Sequence, residues 1–86
     1  MAPRLSVSLI VKNEARYLPG CLDSVRGLAD EVVVLDSGSS DATVGLATAA
    51  GARVATRPFT SYGSQKQAAL DLCRGEWVLS LDADSA

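Results

Sequence analysis

A valine-rich apolar run, residues 31–36, constrains the fold of this chain more than any other stretch. A strand with one face in water alternates apolar and polar side chains, whereas residues 32–35 are all apolar. Such a continuous run is typical of a strand that is covered on both faces, as the strands of parallel sheets are. The sequence therefore predicts a parallel sheet with helices on both sides.

The rest of the chain alternates between the apolar patterns of strands and helices. We predict strands at 5–11, 31–36, 52–56 and 76–81, and helices at 18–26, 43–50 and 64–74. Ser40 or Asp41 is the expected N-cap of the second helix, because either side chain can accept a hydrogen bond from an early helical N–H group. The order β-α-β-α-β-α-β with short loops predicts a parallel, doubly wound, Rossmann-like α/β sheet.

Composition excludes several classes of protein. The chain has 86 residues, of which 48% are apolar and 21% charged, so we expect residues 1–86 to form one small folded unit or part of a larger domain. A net charge of −2 gives no electrostatic reason to expect a nucleic-acid partner. No apolar run is long enough to span a bilayer, and the N-terminus leads directly into a strand. We therefore expect no transmembrane segment, no signal peptide and a cytoplasmic location.

The inventory of reactive side chains is also restrictive. The chain has no histidine, so zinc sites that need one, Cys-His catalysis and Ser-His-Asp triads are excluded. Cys21 and Cys73 each lie among apolar residues of a predicted helix, and we expect two buried free thiols. Trp77, in the last predicted strand, is expected to pack in the core or on a sheet face.

Polar and acidic residues follow three of the four predicted strands. These residues are Asn13, Glu14, Asp36, Ser37, Asp82 and Asp84. Open α/β sheets bind ligands at the carboxyl ends of their strands, where the strand order reverses. In a 3-2-1-4 order, strands one and four are neighbours at that point. Because alternate residues of an extended segment point the same way, Asp82 and Asp84 can face one site, and their oxygens suit Mg²⁺ or Mn²⁺ bridging a diphosphate.

Glycine-rich phosphate-binding motifs are missing from the strand ends. The turn after the first strand has no Gly-x-Gly-x-x-Gly pattern, and no Walker A sequence occurs. The phosphates of a nucleotide bound at this edge would therefore have to be neutralised by a metal at the acidic pair.

Four segments, in this order and spacing, resemble family 2 glycosyltransferases. They are Ser-Leu-Ile-Val-Lys-Asn-Glu (8–14), Val-Val-Val-Leu-Asp-Ser-Gly-Ser-Ser-Asp-Ala-Thr (32–43), Gln-Lys-Gln-Ala-Ala-Leu (65–70) and Glu-Trp-Val-Leu-Ser-Leu-Asp-Ala-Asp (76–84). The resemblance covers residues 5–84 and is strongest to bacterial lipopolysaccharide-core β-1,4-glucosyltransferases. It implies the N-terminal, nucleotide-sugar-binding part of the A-type glycosyltransferase fold, with a nucleotide-diphosphate sugar (UDP-hexose is expected) and a divalent metal.

The resemblance also implies roles on the nucleoside side of the site. Asn13 and Glu14 would line the nucleoside pocket, and Asp36 would hold the base or the ribose. Ser37 stands where many family members carry a second acid that faces the base. Two structural alternatives stay open: Glu14 serves only an early helix turn, or Asp36 only caps its own loop. Asp41 is expected to cap a helix rather than to contact ligand.

On the diphosphate side, the resemblance implies three further roles. Lys66 would lie near the diphosphate or the sugar, with a solvated helix lysine as the alternative. Asp82 would face the ribose or the metal, and Asp84 would be the principal metal ligand.

The activity implied for the parent protein is hexosyl transfer, with inversion, to a glycan or lipid-linked acceptor such as lipopolysaccharide core. The family is more than twice as long as this chain, and its acceptor site and catalytic base follow the metal motif. We therefore expect no catalytic base within residues 1–86, no turnover by the chain alone, and a peripheral place on the inner membrane as an option for a longer protein. The alternatives are a non-catalytic nucleotide-binding module and a purely structural α/β fragment that self-associates through an exposed sheet edge.

Overall fold

A four-stranded parallel sheet forms the centre of the molecule. The computed structural model describes residues 4–25, 27–58 and 60–82, with only the backbone at Tyr62 and Asp82. The elements are β1 (Leu5–Val11), α1 (Leu18–Val25), β2 (Glu31–Asp36), α2 (Thr43–Ala49), β3 (Arg53–Thr56), α3 (Tyr62–Leu72) and β4 (Trp77–Asp82). The strand order is β3-β2-β1-β4, and every neighbouring pair is parallel. The predicted parallel α/β class is confirmed, and the observed order places β1 and β4 side by side, the arrangement that the site hypothesis required.

The start of α3 and the N-cap of α2 differ from the prediction. Helix α3 begins two residues earlier than expected, because the extended Ser61 accepts the Ser64 N–H with its side chain at 3.2 Å. The N-cap of α2 is Ala42, so the expected cap at Ser40 or Asp41 was wrong. Asp41 nevertheless accepts the N–H of Thr43, the first residue of α2, at 2.9 Å. In the part of the chain that is described, no helix is long and apolar enough to cross a membrane.

The two faces of β1 pack against different layers. One face joins α1 and α2 in an apolar cluster whose fully or nearly fully buried members are Val7, Leu9, Val11, Leu18, Leu22, Val25, Val34 and Ala47. The other face carries Ser6 and Ser8, both almost fully buried, and α3 packs across β1 and β2. These short side chains let α3, with its fully buried Ala69, lie close to the sheet.

A polar network ties the strands together at the amino ends of the sheet. The Glu31 carboxylate accepts hydrogen bonds from the Ser6 hydroxyl at 2.6 Å and the Arg74 amide at 2.9 Å. Arg53 donates to its other oxygen at 3.1 Å. Burial acts to raise the pKa of Glu31, but these three donors outweigh burial and lower the pKa below its usual value. This network, the amino-edge network, joins β1, β2, β3 and the approach to β4.

Strand β4 lies at an edge of the sheet and is poorly covered. Trp77 is 70% exposed, so its predicted place in the core was wrong. Val78 and Leu79, on opposite faces of the strand, are also exposed. The apolar pattern of β4 identified a strand correctly, but within the described residues both faces of its first half are only partly covered.

The two cysteines are free thiols, as predicted, but each is half-buried rather than buried. Cys21 packs against the apolar cluster, and the Cys73 thiol donates weakly to the Ala69 carbonyl at 3.4 Å. Burial raises the pKa of both thiols, so neither is set up as a nucleophile.

Among the glycines of the chain, Gly75 leaves the least room for a side chain, and this generates a stability prediction. A Cβ at Gly75 would lie 2.6 Å from Ser6 Oγ and 2.7 Å from Ser6 N, so Gly75→Ala should lower the free energy of unfolding by about 1–3 kcal/mol. Gly45→Ala is the matched control, because nothing lies within 4 Å of its new Cβ. Inside α2 this change should raise stability by roughly 0.5–1 kcal/mol. Urea unfolding measures both, and equal effects would contradict the packing at Gly75.

Candidate functional site

The loop after β2 is folded around the side chain of Asp36. Its Oδ2 accepts the N–H groups of Gly38 at 3.0 Å and Ser39 at 2.9 Å, and the Ser39 hydroxyl donates to Oδ1. Asp36 is 1% exposed, and Gly38 has a φ of +106°, which favours glycine. Asp36 thus caps its own loop, the structural role that the sequence left open. Contact between Asp36 and a base or ribose stays a prediction.

Asn13 fastens the turn after β1 to this loop. Its backbone has a φ of +52°, a left-handed conformation that asparagine tolerates better than most residues. The Asn13 N–H donates to Ser39 Oγ at 2.8 Å, and its Oδ1 accepts the Ser40 N–H at 2.8 Å. The predicted pocket residue Asn13 and the loop of Asp36 therefore form one hydrogen-bonded unit.

The backbone N–H of Glu14 is linked to the start of α2 through the side chains of Thr43 and Asp41. The Thr43 hydroxyl accepts the Glu14 N–H at 2.9 Å and donates to Asp41 Oδ1. The Glu14 carbonyl accepts the Leu18 N–H at 2.8 Å, which starts α1. Hydrogen bonds from the Thr43 hydroxyl and amide lower the pKa of the Asp41 carboxyl below its usual value. Asp41 therefore accepts hydrogen bonds at the start of α2, although it is not the N-cap residue.

Ser37 is held from the other face of the sheet by α3. Its N–H donates to the Val11 carbonyl at 2.8 Å, which continues the pairing of β1 with β2. Its hydroxyl accepts from Gln65 Nε2 at 2.9 Å, and the same nitrogen donates to the Arg57 carbonyl at 2.8 Å. Lys66, the next residue of α3, is exposed. Helix α3 thus brings Gln65 to the end of β2, and the place of Lys66 near the diphosphate or the sugar stays a prediction.

The end of β4 lies beside the end of β1. In the parallel register, Asp82 pairs with Ile10, three residues before Asn13. The Asp82 side chain and the whole of Asp84 fall outside the described residues, so the predicted metal pair stays a prediction. Among the residues that are described, no cluster of three or more acidic or cysteine side chains could hold a metal ion.

Three residues that shape this edge were not singled out by sequence reasoning: Ser39, Thr43 and Gln65. Ser39 and Thr43 belong to a serine- and threonine-rich loop before a helix, a composition that signals side-chain capping of backbone N–H groups. Gln65 lies four residues before the buried Ala69 on α3, so a polar residue on an apolar stripe was the available signal. Its partners belong to distant segments and could not be read from the sequence.

The fold and the site together define a class of protein. An open parallel sheet with hydrogen-bonded loops at the carboxyl ends of β1 and β2 belongs with the α/β proteins that bind ligands at that edge. Residues 6–86 match the model of the family described as Glycosyl transferase family 2. The chain belongs to this family, and the resemblance predicted from its motifs is confirmed.

Relatives in bacteria extend this result. An uncharacterized glycosyltransferase of Rickettsia bellii is 40% identical over 84 residues, which are 98% of this chain and 29% of that protein. The lipopolysaccharide core biosynthesis glycosyltransferase LpsC of Rhizobium meliloti is 40% identical over 91 residues, covering 98% of this chain and 33% of LpsC. This chain therefore spans about a third of the length of these relatives.

Solved structures confirm the A-type glycosyltransferase fold. Glucosyl-3-phosphoglycerate synthase from Mycobacterium tuberculosis, crystallised with UDP, matches with a TM-score of 0.84 at 32% identity. The match covers 98% of this chain and 35% of the synthase. Other crystals of that synthase contain Mn²⁺, UDP and glucosyl-3-phosphoglycerate, or Mg²⁺ and UDP.

The hydrogen bonds around Asp41 generate a titration prediction. In NMR titration of carboxyl carbons, Asp41 should show a pKa below the usual aspartate value, and Thr43→Val should return it towards that value. Because the folded pKa is lowered, these bonds stabilise the fold above the unfolded pKa and are lost as pH falls through the folded pKa. Thr43→Val should therefore reduce the acid dependence of stability. An Asp41 midpoint that is the same in both proteins would contradict the network.

Proposed function

We propose that the carboxyl edge of the sheet binds the nucleotide part of a nucleotide-diphosphate sugar, a UDP-hexose. The observation that carries this proposal is the hydrogen-bonded unit of Asn13 with Ser39 and Ser40, which lies at the point where the strand order reverses. The synthase crystallised with UDP supports it, because that protein shares the fold at 32% identity across nearly all of this chain.

Each edge residue receives a role in this proposal. Asn13 and Glu14 line the nucleoside pocket, since both are anchored where the turn after β1 meets the next loop. Asp36 holds that loop and, with Ser37, lies next to the base or ribose. Lys66 is exposed on α3 and is a cation for the diphosphate or the sugar.

A divalent metal, Mg²⁺ or Mn²⁺, belongs to the same proposal. The donor set fits such an ion, because Asp82 and Asp84 offer hard carboxylate oxygens and the chain has no histidine. Backbone pairing of Asp82 with Ile10 brings β4 to the edge that carries Asn13. When bound there, the ion would offset negative charge on the departing diphosphate. The metal-bound crystals of the synthase support this assignment.

For the whole protein, we propose hexosyl transfer with inversion to a glycan or lipid-linked acceptor. The relationship to LpsC favours lipopolysaccharide core as the acceptor class. We assign no catalytic base to this chain, which spans about a third of its relatives. The 86 residues alone should therefore bind donor without turnover. A cytoplasmic location, where nucleotide sugars are made, belongs to the same proposal.

One observation favours a second property, self-association. The exposed Trp77 and Leu79 lie on β4, whose outer edge has no partner strand within the described part of the chain. Unpaired apolar edges invite pairing with another copy. Sedimentation velocity at increasing concentration should then show a shift to dimers, and Trp77→Lys should suppress it. A monomer at all concentrations would contradict this property while leaving nucleotide binding intact.

Isothermal titration calorimetry with UDP tests the nucleotide proposal. With Mg²⁺ present, the chain should bind UDP, and a chelator should weaken binding at least tenfold, about 1.4 kcal/mol. Asp84→Asn should weaken it by a similar factor, because one ligand carboxylate is lost. Asp71→Asn is the matched control, since Asp71 is exposed on α3 and bonds only Gln67 among the described residues.

The outcomes distinguish a metal-dependent donor site from metal-independent binding and from a scaffold fragment. Metal-dependent binding that is lost in Asp84→Asn and kept in Asp71→Asn supports the donor site. Binding that ignores chelator would contradict the metal role. A folded chain that does not bind UDP at all would contradict the donor site and favour a scaffold fragment.

A further inference from the structure

Gln65 is a fully buried polar residue to which the nucleotide proposal assigns no role. It lies on α3 one residue before Lys66 and reaches two strand ends at once. Its Nε2 donates to Ser37 Oγ at 2.9 Å, after β2, and to the Arg57 carbonyl at 2.8 Å, after β3. A buried amide with both nitrogen hydrogens in use fixes the segments that it joins.

The orientation of this amide is set by its backbone partner. The Arg57 carbonyl can only accept a hydrogen bond, so the Gln65 atom facing it must be the NH₂ group. The opposite orientation would place two acceptor oxygens against each other. The Gln65 oxygen instead faces the Arg57 guanidinium at 3.5 Å, and that guanidinium is held by the Ser64 carbonyl at 2.9 Å.

This orientation decides whether the Ser37 hydroxyl donates or accepts in its hydrogen bond with Gln65. Because Gln65 Nε2 can only donate, Ser37 Oγ must accept from it. The single hydroxyl hydrogen of Ser37 is then left to point elsewhere, and within the described residues it meets no acceptor. Ser37 is buried, with 8% of its surface exposed, and it lies at the carboxyl edge, so the acceptor of that hydrogen would have to be a ligand seated directly on this edge.

We propose that Gln65 is a positioning residue of the donor site, which holds the Ser37 hydroxyl as a hydrogen-bond donor towards an oxygen acceptor of the bound nucleotide. The inference rests on the nucleotide proposal and deepens it. An acid at the position of Ser37 could only accept from the base. Ser37, fixed by Gln65, instead selects a ligand atom that accepts, such as a carbonyl oxygen of a pyrimidine or a ribose oxygen.

The same side chain also couples two parts of the site. Gln65 fixes the first turn of α3 against the ends of β2 and β3. Lys66 follows directly, so its position relative to Ser37 depends on this amide. Loss of the Gln65 amide should therefore weaken nucleotide binding indirectly, through the positions of Ser37 and Lys66.

A double-mutant cycle tests the positioning role. UDP affinity is measured by calorimetry with Mg²⁺ for the wild type, Ser37→Ala, Gln65→Met and the double variant. We expect each single change to weaken UDP binding about fivefold, and the double change to weaken it by about the same factor, because both remove one hydrogen bond to the ligand. Independent, multiplying effects, or unchanged affinity in Gln65→Met, would overturn the inference.

Arg53→Met is the matched control for a merely structural effect. It removes a polar side chain that spans two segments of the amino-edge network, at the other end of the sheet. It should lower stability and leave UDP affinity unchanged. If Gln65→Met also lowers stability and leaves UDP affinity unchanged, Gln65 has only a structural role and the inference is wrong.

A measurement on the wild type keeps the test independent of variant folding. The side-chain NH₂ signals of Gln65 should shift during titration with UDP and Mg²⁺, at the same midpoint as the backbone amide of Ser37, because a donating hydroxyl becomes a stronger acceptor. Shifts at Asn13 and Ser37 without any at the Gln65 side chain would overturn this inference and leave the nucleotide proposal standing. No shift anywhere in a folded chain would overturn the nucleotide proposal, and the inference with it.

Discussion

The central place of β1 is the constraint on which the rest of the structure depends. β1 pairs with β2 on one side and β4 on the other, in parallel, so three chain segments end at one edge. Its two faces also serve different helix layers, with an apolar cluster on one side and short serines under α3 on the other. Because Asn13 follows β1, its left-handed turn meets the loop after β2 and fastens to it. A chain with another strand order would carry the same motifs without bringing them together.

Carboxylates organise both ends of this sheet, with different consequences. At the amino edge, Glu31 joins neighbouring strands through Ser6 and Arg53 and serves stability. At the carboxyl edge, Asp36 and Asp41 direct their oxygens to backbone and hydroxyl donors of the loops, so the loops have a defined shape before any ligand arrives. Such preorganisation lowers the entropy lost on binding. It also means that Asp36 acts first on its own loop, whatever contact it makes with a nucleotide.

The sequence predicted the fold well because the two central strands, β1 and β2, are largely buried and short loops allow few alternative connections. The continuous apolar run of β2 implied a parallel sheet, whereas the strand order entered only as the condition under which the strand-end motifs would meet. Trp77 was misplaced because apolar periodicity identifies a strand but not whether its faces are covered. Gln65 was missed for a related reason: its partners, Ser37 and Arg57, come from segments that meet only in the folded chain. Local pattern therefore predicted where the candidate site lies, and tertiary contacts decided which residues shape that edge.

Paramagnetic broadening by Mn²⁺ with UDP tests the placement of the donor site most directly. The two edges of the sheet are separated by the length of a six-residue strand, about 20 Å, over which broadening falls steeply. A donor site at the carboxyl edge predicts that the amide signals of Asn13, Ser37 and Lys66 broaden when UDP is present. Those of Glu31 and Gly75 should stay sharp, and chelator should reverse the effect. Broadening centred on Glu31, or equal at both edges, would contradict a nucleotide and metal site at the carboxyl ends of the strands.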